Sequence, residues 1–109
     1  MPEPAEETKN LVNQFQNYQQ QLQSILIQKE SLKLQVAEIE SALEELEKSE
    51  QKQAYKIVGN VMVSKSVEEL KKELKEKKEE AELRIKGLEK TEERVVSKLK
   101  DLQTLVEGE

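Results

Sequence analysis

The chain has 109 residues, which is enough for one domain at most, and only 3% of them are aromatic while 38% are charged. This composition argues against a compact globule with a large core and favours long helices or a coiled coil, which bury only a narrow seam. The net charge of −5 comes without a clustered excess of Lys and Arg, and Cys is absent, so a nucleic-acid surface, disulfides and thiolate metal sites are excluded.

The sequence contains no recognisable signal peptide and no apolar run long enough to span a bilayer. The acidic balance also argues against an anionic membrane surface as a partner. We therefore expect a cytoplasmic protein without a membrane partner.

Residues 5–50 are predicted to form the first helix. Between Leu11 and Leu46 the apolar residues recur with spacings that alternate between four and three, which is typical of a left-handed coiled-coil seam. Only Lys29 interrupts this seam. Its members are Leu11, Phe15, Tyr18, Leu22, Ile25, Lys29, Leu32, Val36, Ile39, Leu43 and Leu46.

Residues 55–64 form the only β-like run in the chain. A Gly59-Asn60 pair at its centre predicts a two-residue hairpin turn with positive φ angles, which places Val58 opposite Val61. Both faces of this hairpin are apolar, and a lone two-stranded hairpin is marginal in water. We therefore expect an assembly device; the alternative is a hairpin folded back onto its own helices.

Residues 66–107 are predicted to form the second helix. Ser66 and Glu69 match a capping box at its start. The seam alternation then continues to Val106, with Lys71 in a seam position and Leu70 beside the seam. The predicted seam residues are Val67, Lys71, Leu74, Lys78, Ala81, Ile85, Leu88, Glu92, Val95, Leu99, Leu102 and Val106.

The reversal at the hairpin makes the two helices antiparallel, so they pair with each other and both termini lie together. Both hairpin faces are then left without an internal partner. This pairing places Lys29 one layer from Glu92, and we expect these two polar residues to set the register at some cost in stability. On that reasoning, replacing Lys29 by Leu should raise the melting temperature. The alternative is that Lys29 reaches solvent without a partner.

No constellation of residues indicates catalysis. The chain has neither His nor Cys, and the many carboxylates lie on a coiled-coil surface that offers no pocket to desolvate them. The glycines are scattered and form no phosphate-binding loop. We expect a protein that is not an enzyme and has no cofactor and no metal ion.

Three segments together resemble the prefoldin beta subunit family, of the archaeal type. They are the Gln-rich stretch 18–23 (YQQQLQ), the hairpin 55–63 (YKIVGNVMV) and the capped helix that begins near Ser66. The resemblance covers nearly all of the chain, so residues 1–109 are interpreted as a single prefoldin-like domain. A single hairpin matches the beta class, because alpha subunits have two.

The resemblance implies a hexamer of two alpha and four beta subunits, with the hairpins assembled into a β-barrel body. It also implies an ATP-independent holdase that binds non-native proteins at the coiled-coil tips and passes them to a group II chaperonin. The implied oligomerisation residues are Tyr55, Ile57, Val58, Gly59, Val61, Met62 and Val63. The implied client-binding residues are Leu11, Val12, Phe15, Tyr18, Val95, Leu99, Leu102, Leu105 and Val106.

Two other functions remain open at the level of sequence. The chain could be a coiled-coil spacer or tether in a larger complex, with no client binding. It could also be a monomeric helical hairpin of the tubulin-cofactor kind, although a monomer would leave the apolar hairpin exposed.

Overall fold

A computed structural model describes residues 6–108, which form two long helices separated by a β-hairpin. The helices are α1 (Glu6–Lys48) and α2 (Val67–Glu107), and the strands are β1 (Gln53–Val58) and β2 (Val61–Ser66). This confirms the predicted fold class of a mainly helical chain with one central antiparallel hairpin.

The chain divides into two compact units. The terminal unit comprises the described residues up to Glu30 together with those from Lys86 onward. The hairpin unit comprises Ser31–Ile85. The structure thus separates the two groups of residues for which the sequence suggests separate functions.

The strands pair antiparallel with Val58 opposite Val61, which is the predicted register. Only Gly59 has a positive φ, of 60°, and no other described residue does. The expectation of positive φ at both turn residues was therefore wrong, because a positive φ at the first position alone is the pattern of a type II′ turn, which favours Gly there.

The hairpin is longer than the apolar residues suggested, because its ladder continues through polar residues. Gln53 pairs with Ser66 and Ala54 with Lys65, beyond the predicted 55–64. The Ser64 hydroxyl also donates a hydrogen bond to Gln53 Oε1 at 3.1 Å. Backbone pairing does not need apolar side chains, so their pattern underestimated the strand length.

The Ser66 side chain caps α2 as predicted. Its hydroxyl oxygen accepts a hydrogen bond from the Glu69 backbone N–H at 3.2 Å, which satisfies one of the unpaired donors at the helix start. Ser66 is also the last residue of β2, so strand and helix follow each other without a linker.

Within the hairpin unit, the apolar stripe at the start of α2 differs from the prediction. Leu70 is buried rather than beside the seam, because Val67, Leu70 and Leu74 already supply the three-four spacing. The Lys71 side chain is also only 17% exposed, and its amine pairs with Glu47 at 3.3 Å. The buried apolar side chains of this unit are Leu32, Val67, Leu70 and Ala81.

Within the terminal unit, Ile25, Val95 and Leu102 are buried. Lys29 Nζ donates hydrogen bonds to both carboxylate oxygens of Glu92, at 3.0 and 3.3 Å. The two side chains are 13% and 22% exposed. The predicted proximity of these residues is confirmed, and the alternative of a Lys29 without a partner is wrong. Their role in setting the register stays a prediction.

The ion pair between Lys29 and Glu92 argues against the rise in melting temperature that the sequence suggested for replacing Lys29 alone. Removing the lysine alone leaves the Glu92 carboxylate largely desolvated and unpaired, which is costly, whereas replacing both residues removes the cost of two partly buried charges. We expect Lys29→Leu/Glu92→Leu to be more stable than the parent by about 1 kcal/mol, and the single Lys29→Leu to lie below the double variant. Chemical denaturation of the three proteins measures this order, and a double variant less stable than the parent would contradict it.

Gly87 lies inside α2, exposed, and a Cβ atom there would meet no atom within 4 Å. Gly87→Ala should therefore raise the free energy of unfolding by about 1 kcal/mol, since Gly is a poor helix former and nothing at this site requires it. Thermal unfolding monitored by circular dichroism is the measurement. Gly59→Ala is the control and should lower stability, because the φ of 60° at Gly59 is strained for Ala.

Candidate functional site

The hairpin presents apolar side chains that the rest of the described chain leaves largely exposed. They are Tyr55, Ile57, Val58, Val61, Met62 and Val63, with exposed fractions between 40% and 73%. Ile57 and Met62 lie opposite each other on one face, and Val58 and Val61 on the other. The alternative in which the hairpin buries these residues against its own helices does not agree with the structure. Exposed apolar clusters of this kind mark interaction sites.

One face of the hairpin nevertheless has a partner at its base, which corrects the expectation that neither face has one. Glu73 of α2 forms ion pairs with Lys65 of β2 and with Lys56 of β1, the latter at 3.5 Å between Nζ and Oε2. Both lysines lie on the face that also carries Val58 and Val61. The opposite face makes no such contact with α2 among the residues that the structure describes.

The two lysines perturb the ionisation of this carboxyl group. The hydrogen bond that Lys65 donates is the largest effect and lowers the pKa of Glu73; desolvation opposes it, and the positive charges of Lys56 and Lys65 lower the pKa further. A lowered folded-state pKa means that the stabilisation is present above the ordinary pKa of Glu73 and is lost as the pH falls through the folded-state pKa. The Glu73 carboxyl group is therefore ionised at neutral pH, as the ion pairs require.

The terminal unit has an apolar surface of its own. Val12, Leu105 and Val106 are exposed there. An open groove of about 170 Å³ is lined by Val12, Phe15, Gln103, Val106 and Glu107. Its lining is mostly apolar, so it suits an apolar side chain of a bound segment.

The other predicted client-binding residues are less accessible. Leu11, Phe15, Tyr18 and Leu99 are half-buried along the helix pair. Val95 and Leu102 are only 4% and 7% exposed, so a client reaches them only if the helices separate locally. The predicted client-binding residues thus divide into three exposed ones, Val12, Leu105 and Val106, and six that are half-buried or buried.

Sequence reasoning missed Glu73 and two exposed leucines. Leu34 and Leu83 belong to the hairpin unit and lie outside the four-three alternation. That departure from the alternation could have indicated that both side chains are exposed. Glu73 carried no signal, because one glutamate among many on a charged helix cannot be told apart by type or spacing.

Residues 6–108 contain neither a metal-binding cluster nor a membrane-spanning helix. No group of three or more Asp or Glu side chains there is arranged to hold a metal ion. No helix in this range is long and apolar enough to cross a membrane.

Comparison with known proteins gives a consistent result. The family model described as "Prefoldin subunit" matches residues 9–107. The chain is 40% identical over 104 residues to "Prefoldin subunit beta" of Archaeoglobus fulgidus, covering 94% of this chain and 90% of that one. It is 41% identical over 93 residues to the protein of the same name from Thermococcus onnurineus, covering 84% and 80% of the two chains.

A solved structure agrees with these sequence matches. The crystal structure of the prefoldin beta subunit from Thermococcus strain KS-1 superimposes with a TM-score of 0.85 at 33% identity, covering 99% of this chain and 96% of that one. Agreement in sequence and in fold over nearly the full length of both partners assigns the family, and this chain belongs to the prefoldin beta subunit family.

Proposed function

We propose that this chain is a subunit of an ATP-independent holdase, in which its hairpin assembles with those of other subunits and its terminal unit binds non-native proteins. The proposed assembly contains two alpha and four beta subunits with a β-barrel body. Its clients pass to a group II chaperonin, and it works in the cytoplasm without enzymatic activity.

The observation that carries this proposal is the exposed apolar hairpin. Burying one side chain the size of Ile or Met is worth about 1.5–3 kcal/mol, so the six exposed hairpin residues represent a large unused driving force. The strand edges add unpaired backbone groups that a neighbouring strand can satisfy. A hairpin on a charged two-helix chain therefore gains most by joining other hairpins.

The terminal unit supports client binding in two stages. Its exposed residues, Val12, Leu105 and Val106, are available to an apolar segment without rearrangement. Seam residues such as Phe15 become available when the helix ends fray, since terminal backbone groups lack intrahelical partners. Each contact is weak, and several subunits around one client combine them through effective concentration.

The experiment that tests this function mixes the chain with an alpha-class prefoldin subunit and measures light scattering by a chemically denatured client diluted into buffer without ATP. Suppression of aggregation by the mixture supports the holdase. A mixture that forms a defined complex but leaves aggregation unchanged would favour the alternative, a coiled-coil spacer or tether without client binding.

A further inference from the structure

We infer that Glu73 is a positioning residue that sets the direction in which the hairpin projects from α2. The inference concerns the single chain; its consequence for assembly rests on the proposed function. Nothing in the sequence distinguishes Glu73 from the other acidic residues of α2, so its role follows from the geometry alone.

The first part of the geometry is that one carboxylate joins both strands to the helix. Lys56 belongs to β1 and Lys65 to β2, and they lie diagonally across the pair, since Lys56 faces Val63 and Lys65 faces Ala54. Glu73 Oε2 accepts from Lys56 at 3.5 Å and Oε1 accepts from Lys65. Two like charges at a diagonal position repel each other, and the carboxylate compensates that repulsion.

The second part is the direct passage from β2 into α2. Because Ser66 ends the strand and Val67 begins the helix, no linker separates β2 from α2. The Val67 N–H also donates a hydrogen bond to the Lys52 carbonyl at 2.8 Å, which holds the residue before β1 next to the first residue of α2. Without a contact further along α2, the hairpin can tilt towards or away from the helix about this junction.

Glu73 lies where it can remove this freedom. It follows Ser66 by seven residues, which is close to two turns of helix, so it lies on the same side of α2 as the end of the strand, about 10 Å along the axis. A bridge to this point inclines the face of Lys56 and Lys65 towards the helix. The face with Ile57 and Met62 then points away from α2.

Among residues 6–108, no other ion pair joins the strands to α2. The apolar residues near the turn, among them Val58 and Val61, stay largely exposed. Hydrophobic contact therefore does not set the direction of the hairpin. The charged groups that face Glu73 are Lys56 and Lys65, one from each strand, and both are used by the bridge.

Spin labels test the inference on the full chain. The sequence has no cysteine, so Asn60→Cys at the turn and Lys75→Cys on α2 give a unique label pair whose distance distribution is read by pulsed electron paramagnetic resonance, with labelled protein diluted in unlabelled protein. Glu73→Gln should broaden the distribution about twofold. Glu76→Gln is the matched control, because Glu76 is exposed on the same helix, and it should leave the distribution unchanged.

Two further readouts separate positioning by charge from a loss of packing. Glu73→Asp should keep the narrow distribution, because the flexible lysine side chains can follow the shorter carboxylate. The parent should also broaden as the pH falls through the lowered pKa of Glu73, whereas Glu73→Gln should show no such transition. A narrow, parent-like distribution in Glu73→Gln would overturn the inference.

The consequence for assembly has a separate readout. Glu73→Gln should weaken the complex with an alpha-class prefoldin subunit by roughly threefold to tenfold, with unchanged helical content. Broadening without any weakening would overturn this consequence and leave the positioning role intact. If the parent itself forms no complex, the proposed function fails, and the spin-label result still decides the role of Glu73.

Discussion

Ile57→Asp should abolish assembly of this chain with an alpha-class prefoldin subunit. Ile57 is 73% exposed in the single chain, so the substitution should leave the fold and the helical content unchanged. In the proposed assembly it is buried, and replacing it loses about 2–3 kcal/mol of apolar burial. A buried, unpaired carboxylate adds a penalty of several kcal/mol, so the complex should weaken by about a thousandfold or more. Analytical ultracentrifugation of the mixed subunits measures this loss.

Leu83→Asp is the matched control for this experiment. Leu83 is also an exposed aliphatic side chain of the hairpin unit, at 67%, but it lies on α2 outside the hairpin. The same chemical change there should leave assembly intact. Equal loss of assembly in both variants would mean that the hairpin is not the specific contact.

Replacing Val12, Leu105 and Val106 together by Ser should remove most of the suppression of client aggregation and leave the assembly intact. These residues are partly exposed, so the cost to stability should be about 1 kcal/mol per site. Because every copy of the chain in the assembly carries the change, small losses at each contact multiply through the combined binding. Light scattering of a denatured client without ATP is the measurement.

A matched variant separates this surface from exposed apolar side chains in general. Leu34→Ser/Leu83→Ser changes two leucines that are at least as exposed but belong to the hairpin unit. It should protect the client as well as the parent does. Full protection by the triple variant would contradict client binding at the terminal unit.

Much of the fold could be predicted because it depends on residue spacing. The four-three alternation identified both helices, and Gly59 located the turn and hence the strand register. The start of α2 was predicted less well, because two overlapping spacings compete there and Leu70, placed beside the seam by the sequence, is more buried than Lys71. Burial of a leucine is favoured over that of a lysine, which decides between the two.

The interactions of charged side chains were predicted only where the seam restricted them. Lys29 and Glu92 are polar residues in an apolar seam, so the antiparallel pairing of the helices predicted that they lie close together. Glu73 lies on a helix surface with many acids, and its contact with Lys56 and the tilt of the hairpin accompany each other. That tilt is a tertiary property that no residue spacing encodes.

Native mass spectrometry of this chain mixed with an alpha-class prefoldin subunit shows whether the apolar hairpin joins it to other subunits. We expect one dominant species with the mass of two alpha and four copies of this chain, and its loss in Ile57→Asp. A parent chain that stays a monomer at micromolar concentration beside the alpha-class subunit would mean that the hairpin does not drive assembly.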